Sequence, residues 1–464
     1  MVRYSAMALA LTAVLVLPAV SQAADTSASA HGPDTGAVNM LIGRDAFGDW
    51  QSNKPGVWRK IGAGDLRQPY ATKSASNAPG LAHRPANVTP LVPPGFKAEL
   101  VESGMAGPRD MALAPNGDIF VADSVANQIV VLRMASGQAK PRARSVFASK
   151  SLDQPYGIAF YPLDKPQWVY VGNSGSIVRF PYREGDLKAS GPAEAVVDNI
   201  PSDGHWTRDV AFSPDGATLY VAVGSSSNIP DEGSGLPSGG IPQWADTHPL
   251  GEMWGADEGR AAVLAFNPDG SNRRIFATGL RNCAGLAIGP TSGGPWCVVN
   301  ERDGLGDDVP FDYATQVRDG NFYGWPWYYI GANEDPRQPL KGQRPDLADR
   351  VTVPDVLFQA HSAPLNIAFY QGSQFPAEYK GDAFVTMHGS WNRGASTGYK
   401  VVRLKFDNGL ASGTYEDFVT SFMLSDGQAW GRPVGVVVAH DGSLIVSEDG
   451  NGTIWRIAYG GARS

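Results

Sequence analysis

The sequence predicts an all-β protein, and within that class a six-bladed β-propeller. Three observations predict it. The 464 residues include 55 glycines and 35 prolines, only 18% are charged, and helical periodicity is scarce, so many short strands joined by turns are expected. A unit of an apolar strand, a turn and a second β-rich strand recurs along the chain. Ahead of the first copy lies a further strand-like run, Phe96-Lys-Ala-Glu-Leu-Val101. Paired with the last copy it closes a ring and hides two sheet edges at once.

The copies follow in order. The first is Asp110-Met-Ala-Leu-Ala-Pro-Asn-Gly-Asp-Ile-Phe-Val-Ala122, and the second is Gly157-Ile-Ala-Phe-Tyr-Pro162 with Trp168-Val-Tyr-Val171. The third is Asp209-Val-Ala-Phe-Ser-Pro-Asp-Gly216 with Thr218-Leu-Tyr-Val-Ala222. The fourth and fifth are Gly285-Leu-Ala-Ile288 with Cys297-Val-Val299, and Asn366-Ile-Ala-Phe369 with Ala383-Phe-Val385. The sixth is Gly435-Val-Val-Val-Ala-His-Asp-Gly442 with Ser443-Leu-Ile-Val446. Third strands such as Gln128–Leu132, Ser176–Phe180 and Gly452–Ile457 complete the units. A lone three-stranded sheet cannot bury both faces, so such units stack around an axis.

Outside the repeats, residues 1–23 read as a secretory signal peptide. Arg3 supplies the positive start, Ala6 to Leu17 the apolar run, and Ser21-Gln22-Ala23 the small-residue end. No later run is long and apolar enough to span a membrane, so a periplasmic or secreted location is expected. Residues 24–90 read as an irregular extension whose Trp50, Trp58 and Tyr70 region packs on the body, and residues 91–464 as the propeller. Two excursions, from about Asn228 to Arg260 and from Glu334 to Thr352, read as long loops of the functional kind.

A net charge of −8 speaks against nucleic acid as a partner. The two cysteines, Cys283 and Cys297, allow no disulfide framework. An exported chain permits a bridge between them. Pairing about the turn Pro290–Gly294, however, sets Cys283 opposite position 300, which favours two unbridged buried side chains.

Chemistry gathers at the starts of the strands. With the copies aligned on the Gly, Asp or Asn that opens the repeat, the residues just upstream form a polar ring. They are Arg109, Asp153-Gln154, His205-Trp206, Arg281-Asn282, His361-Ser362 and Gly431-Arg432. Arginine is the residue of bidentate carboxylate binding, so the ring favours a small polyanion over the plainer reading that each arginine caps its own loop. His205 can serve as general base on a hydroxyl. The acidic loop Asp303-Gly-Leu-Gly-Asp307-Asp308 lacks the spacing of a helix–loop–helix calcium site, but main-chain oxygens of Asp303 and Gly304 can hold Ca²⁺ together with a ligand's oxygens. Arg393, after His388-Gly-Ser-Trp-Asn392, can also reach the funnel. No Gly-x-Ser-x-Gly, zinc spacing or dinucleotide turn is present.

These residues resemble the soluble pyrroloquinoline quinone (PQQ)-dependent sugar dehydrogenases, the glucose/sorbosone dehydrogenase family, and its sorbosone-dehydrogenase-like branch most. The matching pieces are Gly204-His205, Leu280-Arg-Asn-x-x-Gly-Leu-Ala287 and Asn300-Glu-Arg-Asp-Gly304. Asn321-Phe-Tyr-Gly-Trp-Pro326, Arg432-Pro-Val-Gly435 and Ser447-Glu-Asp-Gly-Asn-Gly452 complete the set. The resemblance implies oxidation of an aldose or sugar aldehyde, with electrons passed to an external cytochrome or quinone. It implies His205 as base, Arg281 beside the reacting quinone oxygen, and Asn282 and Arg432 as cofactor contacts. It further implies Gln154 and Trp206 near the substrate and Ca²⁺ on the main-chain oxygens of Asp303 and Gly304. Two positions depart. Where the glucose enzymes place an aspartate behind the histidine this chain has Gly224-Ser225, leaving Asp257 or Glu258 as orienter. The cofactor lysine has no counterpart, and Arg393 is its substitute. The alternatives are a six-bladed propeller lactonase or other metal hydrolase, and a non-catalytic binding propeller.

Overall fold

The computed structural model describes residues 39–230 and 235–461. The expected signal peptide lies outside them. Among the described residues, six sheets of at least four strands, antiparallel but for one edge pair, follow one another along the chain. The first comprises Pro108–Leu113, Ile119–Asp123, Gln128–Arg133 and Ala143–Ala148; the second Ile158–Tyr161, Trp168–Gly172, Ile177–Pro181 and Glu194–Val197. The third comprises Val210–Phe212, Leu219–Val223, Ala262–Phe266 and Arg274–Thr278; the fourth Cys283–Ile288, Pro295–Val299, Tyr313–Gln316 and Val356–Leu357. The fifth is built on Pro364–Phe369, Ala383–Met387, Lys400–Asp407 and Leu410–Val419, and the sixth on Pro433–Val438, Leu444–Glu448 and Thr453–Tyr459. Phe96–Glu102 supplies the sixth sheet's last strand, antiparallel to Thr453–Tyr459 with Phe96 opposite Tyr459, as the sequence predicts.

The second strands read as near-continuous apolar runs because both of their faces are covered. Ile119–Asp123, Leu219–Val223, Ala383–Met387 and Leu444–Glu448 are buried at every position. The apolar clusters between the sheets run in a cycle. One joins the first and second sheets, one the second and third, one the third to fifth, and one the fifth and sixth. Val101, Ile445 and Ile454 then pack on Met111, Ile119 and Val130, returning the sixth sheet to the first.

At the inner ends the aligned repeat position alternates in character: Asp110, Gly157, Asp209, Gly285, Asn366, Gly435. A Cβ on Gly157 would lie 2.7 Å from Asp209 Cα, on Gly285 2.6 Å from Asn366 Cα, and on Gly435 2.4 Å from the Arg109 carbonyl oxygen. The polar members stitch the ring. Asp209 accepts from Leu286 N at 2.6 Å, and Asn366 Nδ2 donates to Asp110 Oδ1 at 2.8 Å. Burial pushes the Asp209 carboxyl up to about 7 and Asp110 well above the carboxylate range, Asp110 further because of Asp209.

Part of the 24–90 stretch forms strands. Trp58–Lys60 pairs with Leu410–Val419, and Met40–Ile42 pairs parallel to Trp58–Lys60. Arg59 locks this edge through Asp417 at 3.1 Å and the Ala46 carbonyl at 2.7 Å. Trp50 packs on the cluster of the fifth and sixth sheets, and Arg403 stacks over Trp58, while Tyr70 is exposed.

The cysteines correct the expectation. Cys283 and Cys297 form a disulfide, their Cα atoms 5.7 Å apart. The reason is a bulge at Ala284. The register steps from Cys283 opposite Val299 to Gly285 opposite Val298, and the added twist brings the diagonal neighbour Cys297 within bridging distance.

Replacing both cysteines by alanine is expected to lower the unfolding free energy by about 3 kcal/mol, the chain-entropy value for so short a loop, measured from denaturant midpoints. Gly285→Ala is expected to cost about 1–3 kcal/mol through overpacking against the fifth sheet, whereas Gly427→Ala, with nothing within 4 Å of the added Cβ, leaves the midpoint unchanged.

Candidate active site

Most of the residues leading into the first strands come together around one cavity of about 370 Å³ that opens to solvent, lined by Arg109, His205, Trp206, Arg281, Asn282 and Asp303 among others. A neighbouring hollow of about 230 Å³ shares Arg109 and Trp206 and adds Gln154, Arg432 and Asp449. Between the two, every copy of the repeat contributes, with Gln154 coming from the second, His361 from the fifth and Arg432 from the sixth.

His205 stands on a turn that needs glycine before it: Gly204 has φ +81°, and a Cβ there would meet the Ser226 carbonyl oxygen at 2.0 Å. Its Nδ1 lies 2.8 Å from the Ser225 carbonyl oxygen, which fixes Nδ1 as the protonated nitrogen and leaves Nε2 as the acceptor. The orienter is therefore main chain, and neither Asp257 nor Glu258. Asp257 accepts from Ser226 N at 2.7 Å instead, and Glu258 is exposed. A side chain at position 224 is ruled out by space, since a Cβ on Gly224 would lie 2.6 Å from His205 Cβ and 2.5 Å from Asn282 Oδ1.

Burial, then the nearby Arg281, and further Arg260 and Arg208, push the His205 imidazole down to about 3 against the opposing hydrogen bond to Ser225. Arg260 and Arg208 donate to main-chain carbonyls, though Arg208 Nε finds no partner. Arg260 donates to the carbonyls of Gly224 at 2.9 Å and Ser225 at 3.1 Å. Arg208 donates to the carbonyls of His205 at 2.9 Å and Thr207 at 2.6 Å, and to that of Pro201.

Arg281 is buried and held by the Glu301 carbonyl at 2.7 Å, Asn228 Oδ1 at 3.1 Å and the Asp303 carboxylate at 3.5 Å. Asn228, named from the sequence only as the start of a long loop, is the hub of this wall. Its Oδ1 also accepts from Asp303 N at 2.7 Å, its Nδ2 donates to the Asp303 carbonyl at 3.0 Å, and its own carbonyl accepts from Trp325 Nε1 at 3.0 Å. It enters from the first residues of the long excursion, which otherwise folds into the helix Gly240–Thr247 and packs Ile241, Met253 and Trp254 on Trp325 and Trp327.

In the neighbouring hollow, Asp449 gathers three partners: Arg109 at 2.5 Å, Arg432 at 3.0 Å and His388 Nε2 at 3.0 Å, the imidazole itself pushed down by burial. Arg109 also lies 5.2 Å from the Trp206 ring. Arg393 turns away from the cavity, pairing with Asp308 at 2.9 Å and donating to the Asp307 carbonyl at 2.8 Å. It therefore braces the acidic loop from behind.

Among residues lining the cavity, four side-chain atoms are buried without a hydrogen-bond partner: Arg109 Nε, Thr207 Oγ1, Asn282 Oδ1 and Glu301 Oε1. Arg109 Nε and Thr207 Oγ1 can donate, and with Arg281 they suit a polar, anionic ligand. The calcium expectation fits less well. Among the described residues no group of three His, Cys, Asp or Glu is placed to hold a metal. The carbonyl of Asp303 already accepts from Asn228 Nδ2 and from Arg337 Nη1, and its carboxylate accepts from Asn392.

A cycle of antiparallel sheets with a cation-lined polar mouth, and an imidazole whose Nε2 is left as acceptor, is the class that fold and site define. The TrAA12-like family matches residues 90–321 and 343–460, and the chain belongs to that family. An uncharacterised protein of Borreliella burgdorferi is 26% identical over 381 residues, 79% of this chain and 90% of that one. The pyrroloquinoline quinone-dependent pyranose dehydrogenase of Coprinopsis cinerea is 24% identical over 429 residues, 78% of this chain and 54% of that protein, so the chain spans about half its length. Among solved structures, the holo form of the PQQ domain of pyranose dehydrogenase from Coprinopsis cinerea superposes with a TM-score of 0.64 at 21% identity, covering 82% of this chain and 99% of that domain. At that identity the likeness is one of fold.

Because the folded chain refuses a proton at His205 that the unfolded chain accepts near pH 6.5, this residue's stability contribution is present above that pH and is lost as pH falls toward about 3. NMR of the imidazole nitrogens should show His205 neutral with the proton on Nδ1 from pH 8 to 5, whereas Arg281→Ala should move its titration upward.

Proposed function

We propose that this chain is a PQQ-dependent dehydrogenase of an aldose or sugar aldehyde, built on a six-bladed β-propeller and exported to the periplasm or outside. The observation that carries the reading is the pairing, on one cavity wall, of Arg281 with an imidazole kept neutral by burial and the neighbouring arginines, its tautomer fixed by the Ser225 carbonyl. Family membership and the names of the relatives support it.

PQQ, when bound, supplies an acceptor for the hydride that leaves the substrate carbon. The chain's own residues do the rest. His205 Nε2 takes the proton of the substrate hydroxyl, and Ser225 keeps the other nitrogen protonated so that this one stays available. Arg281 and Asn282 hold and orient the cofactor, with the Arg281 guanidinium set where negative charge collects. Arg432 uses Nε on Asp449, leaving its outer nitrogens for a carboxylate. Trp206, edge-on to Tyr156 at 6.1 Å, and Gln154 border the substrate side. The two electrons would then go to an external cytochrome or quinone, and two protons, the one on Nε2 and the one carried with the hydride, would return to solvent.

Purified protein supplied with PQQ, with and without Ca²⁺, is expected to reduce an artificial electron acceptor in the presence of some aldose or sugar aldehyde. His205→Ala should retain PQQ binding and lose about 10²–10⁴ in kcat. Bound PQQ without turnover across such substrates, or unchanged kcat in the variant, overturns the reading.

A further inference from the structure

Two main-chain oxygens, those of Asp303 and Gly304, are where the resemblance to the PQQ enzymes sets a divalent cation. In this chain that place is built differently. Arg337 Nη1 donates to the Asp303 carbonyl, and a Cβ on Gly304 would lie 2.7 Å from the same nitrogen, so the guanidinium lies directly against both residues. The second lone pair of the Asp303 carbonyl is engaged by Asn228 Nδ2 at 3.0 Å. Arg337 is not a wandering surface side chain. Asp335 grips it at Nη2 (3.0 Å), Nε (3.1 Å) and its main-chain nitrogen (2.9 Å). Asp335 is itself fully buried and pairs with the fully buried Arg302 at 3.2 Å. Although burial alone would raise the Asp335 carboxyl, Arg337 and Arg302 hold it below the ordinary range, so the clamp stays ionised at neutral pH.

Calcium takes six to eight oxygen ligands at about 2.3–2.6 Å. A carbonyl that already receives two N–H donors can join such a shell only if both are expelled, and a fixed guanidinium beside it repels a divalent ion. We infer that Arg337 is the resident cation of this site, taking the place of a divalent metal, so that the chain binds PQQ without calcium. The inference rests on the proposed function for the identity of the ligand, and on the Arg337–Asp303–Asp335 geometry for the cation.

The test uses the full chain freed of metal by chelation. PQQ binding is followed by quenching of tryptophan fluorescence in chelator and in added Ca²⁺, and Ca²⁺ alone is titrated calorimetrically. The wild-type chain should bind PQQ equally in both media and take up no Ca²⁺. Arg337→Ala should weaken PQQ binding about tenfold or more in chelator, the scale of a charge-assisted contact, and partial recovery with Ca²⁺ should follow. Arg337→Lys, which keeps the charge but not the fork, should stay independent of calcium. A wild-type chain that needs Ca²⁺ for PQQ, or that binds Ca²⁺ by itself with the stoichiometry of one site, overturns the inference even if the alanine variant fails to fold. Absence of PQQ binding in either medium instead overturns the proposed function, and this inference with it.

Discussion

The structure depends on a crowding constraint at the axis, where the first strands of six sheets meet. There is not room there for six side chains. Glycines at 157, 285 and 435 bring their backbones to within a Cβ's reach of the next sheet, and Asp110, Asp209 and Asn366 occupy the space between them. This alternation sets how closely the sheets approach. It thereby fixes where the residues just upstream, among them Arg109, His205, Arg281 and Arg432, emerge. The ladder between Phe96–Glu102 and Thr453–Tyr459 secures the same closure at the periphery.

Around His205 the consequence is electrostatic. Arg208, Arg260 and Arg281 are paired largely with main-chain carbonyls, which satisfy N–H groups without cancelling charge. Their positive field, added to burial, opposes a second proton on the imidazole. A carboxylate behind the histidine would have raised its proton affinity. The Ser225 carbonyl fixes the tautomer with a dipole and leaves the ring neutral. The orientation usually supplied by an acid is thus separated from the charge that comes with one.

Much of this was legible in the sequence, for identifiable reasons. Six sheets could be read because each second strand is covered on both faces and therefore spelled as an apolar run, and the closing strand because its edge had only one place to go. The ring of polar residues could be read because the aligned repeat position is itself the point of closest approach. What escaped lay in irregular geometry. One residue of bulge at Ala284 changed which cysteine faces Cys283. Asn228 and Arg337 come from loops whose course no periodicity encodes, and Arg393 was assigned to the funnel by proximity in sequence when Asp307 and Asp308 hold it behind the acidic loop. Trp58–Lys60 is too short for alternation to show, and its place is set by the buried ion pair of Arg59 with Asp417.

The cavity and the hollow beside it differ in how their charge is settled. On one side Asp449 is held far below the usual carboxylate range by His388, Arg109 and Arg432 against its burial, so a single anion anchors two guanidinium groups that remain able to share an incoming carboxylate. On the other, Asp303 is the carboxylate beside Arg281, at 3.5 Å, and it is shared with Asn392, so much of the Arg281 charge is left uncompensated within a buried wall. An anionic ligand bridging the two sides would be oriented by the first and polarised by the second. The neutral nitrogen of His205 lines the same cavity as Arg281, so that under the proposed function a proton lost from a hydroxyl and charge gained by the ligand would compensate each other within one buried wall.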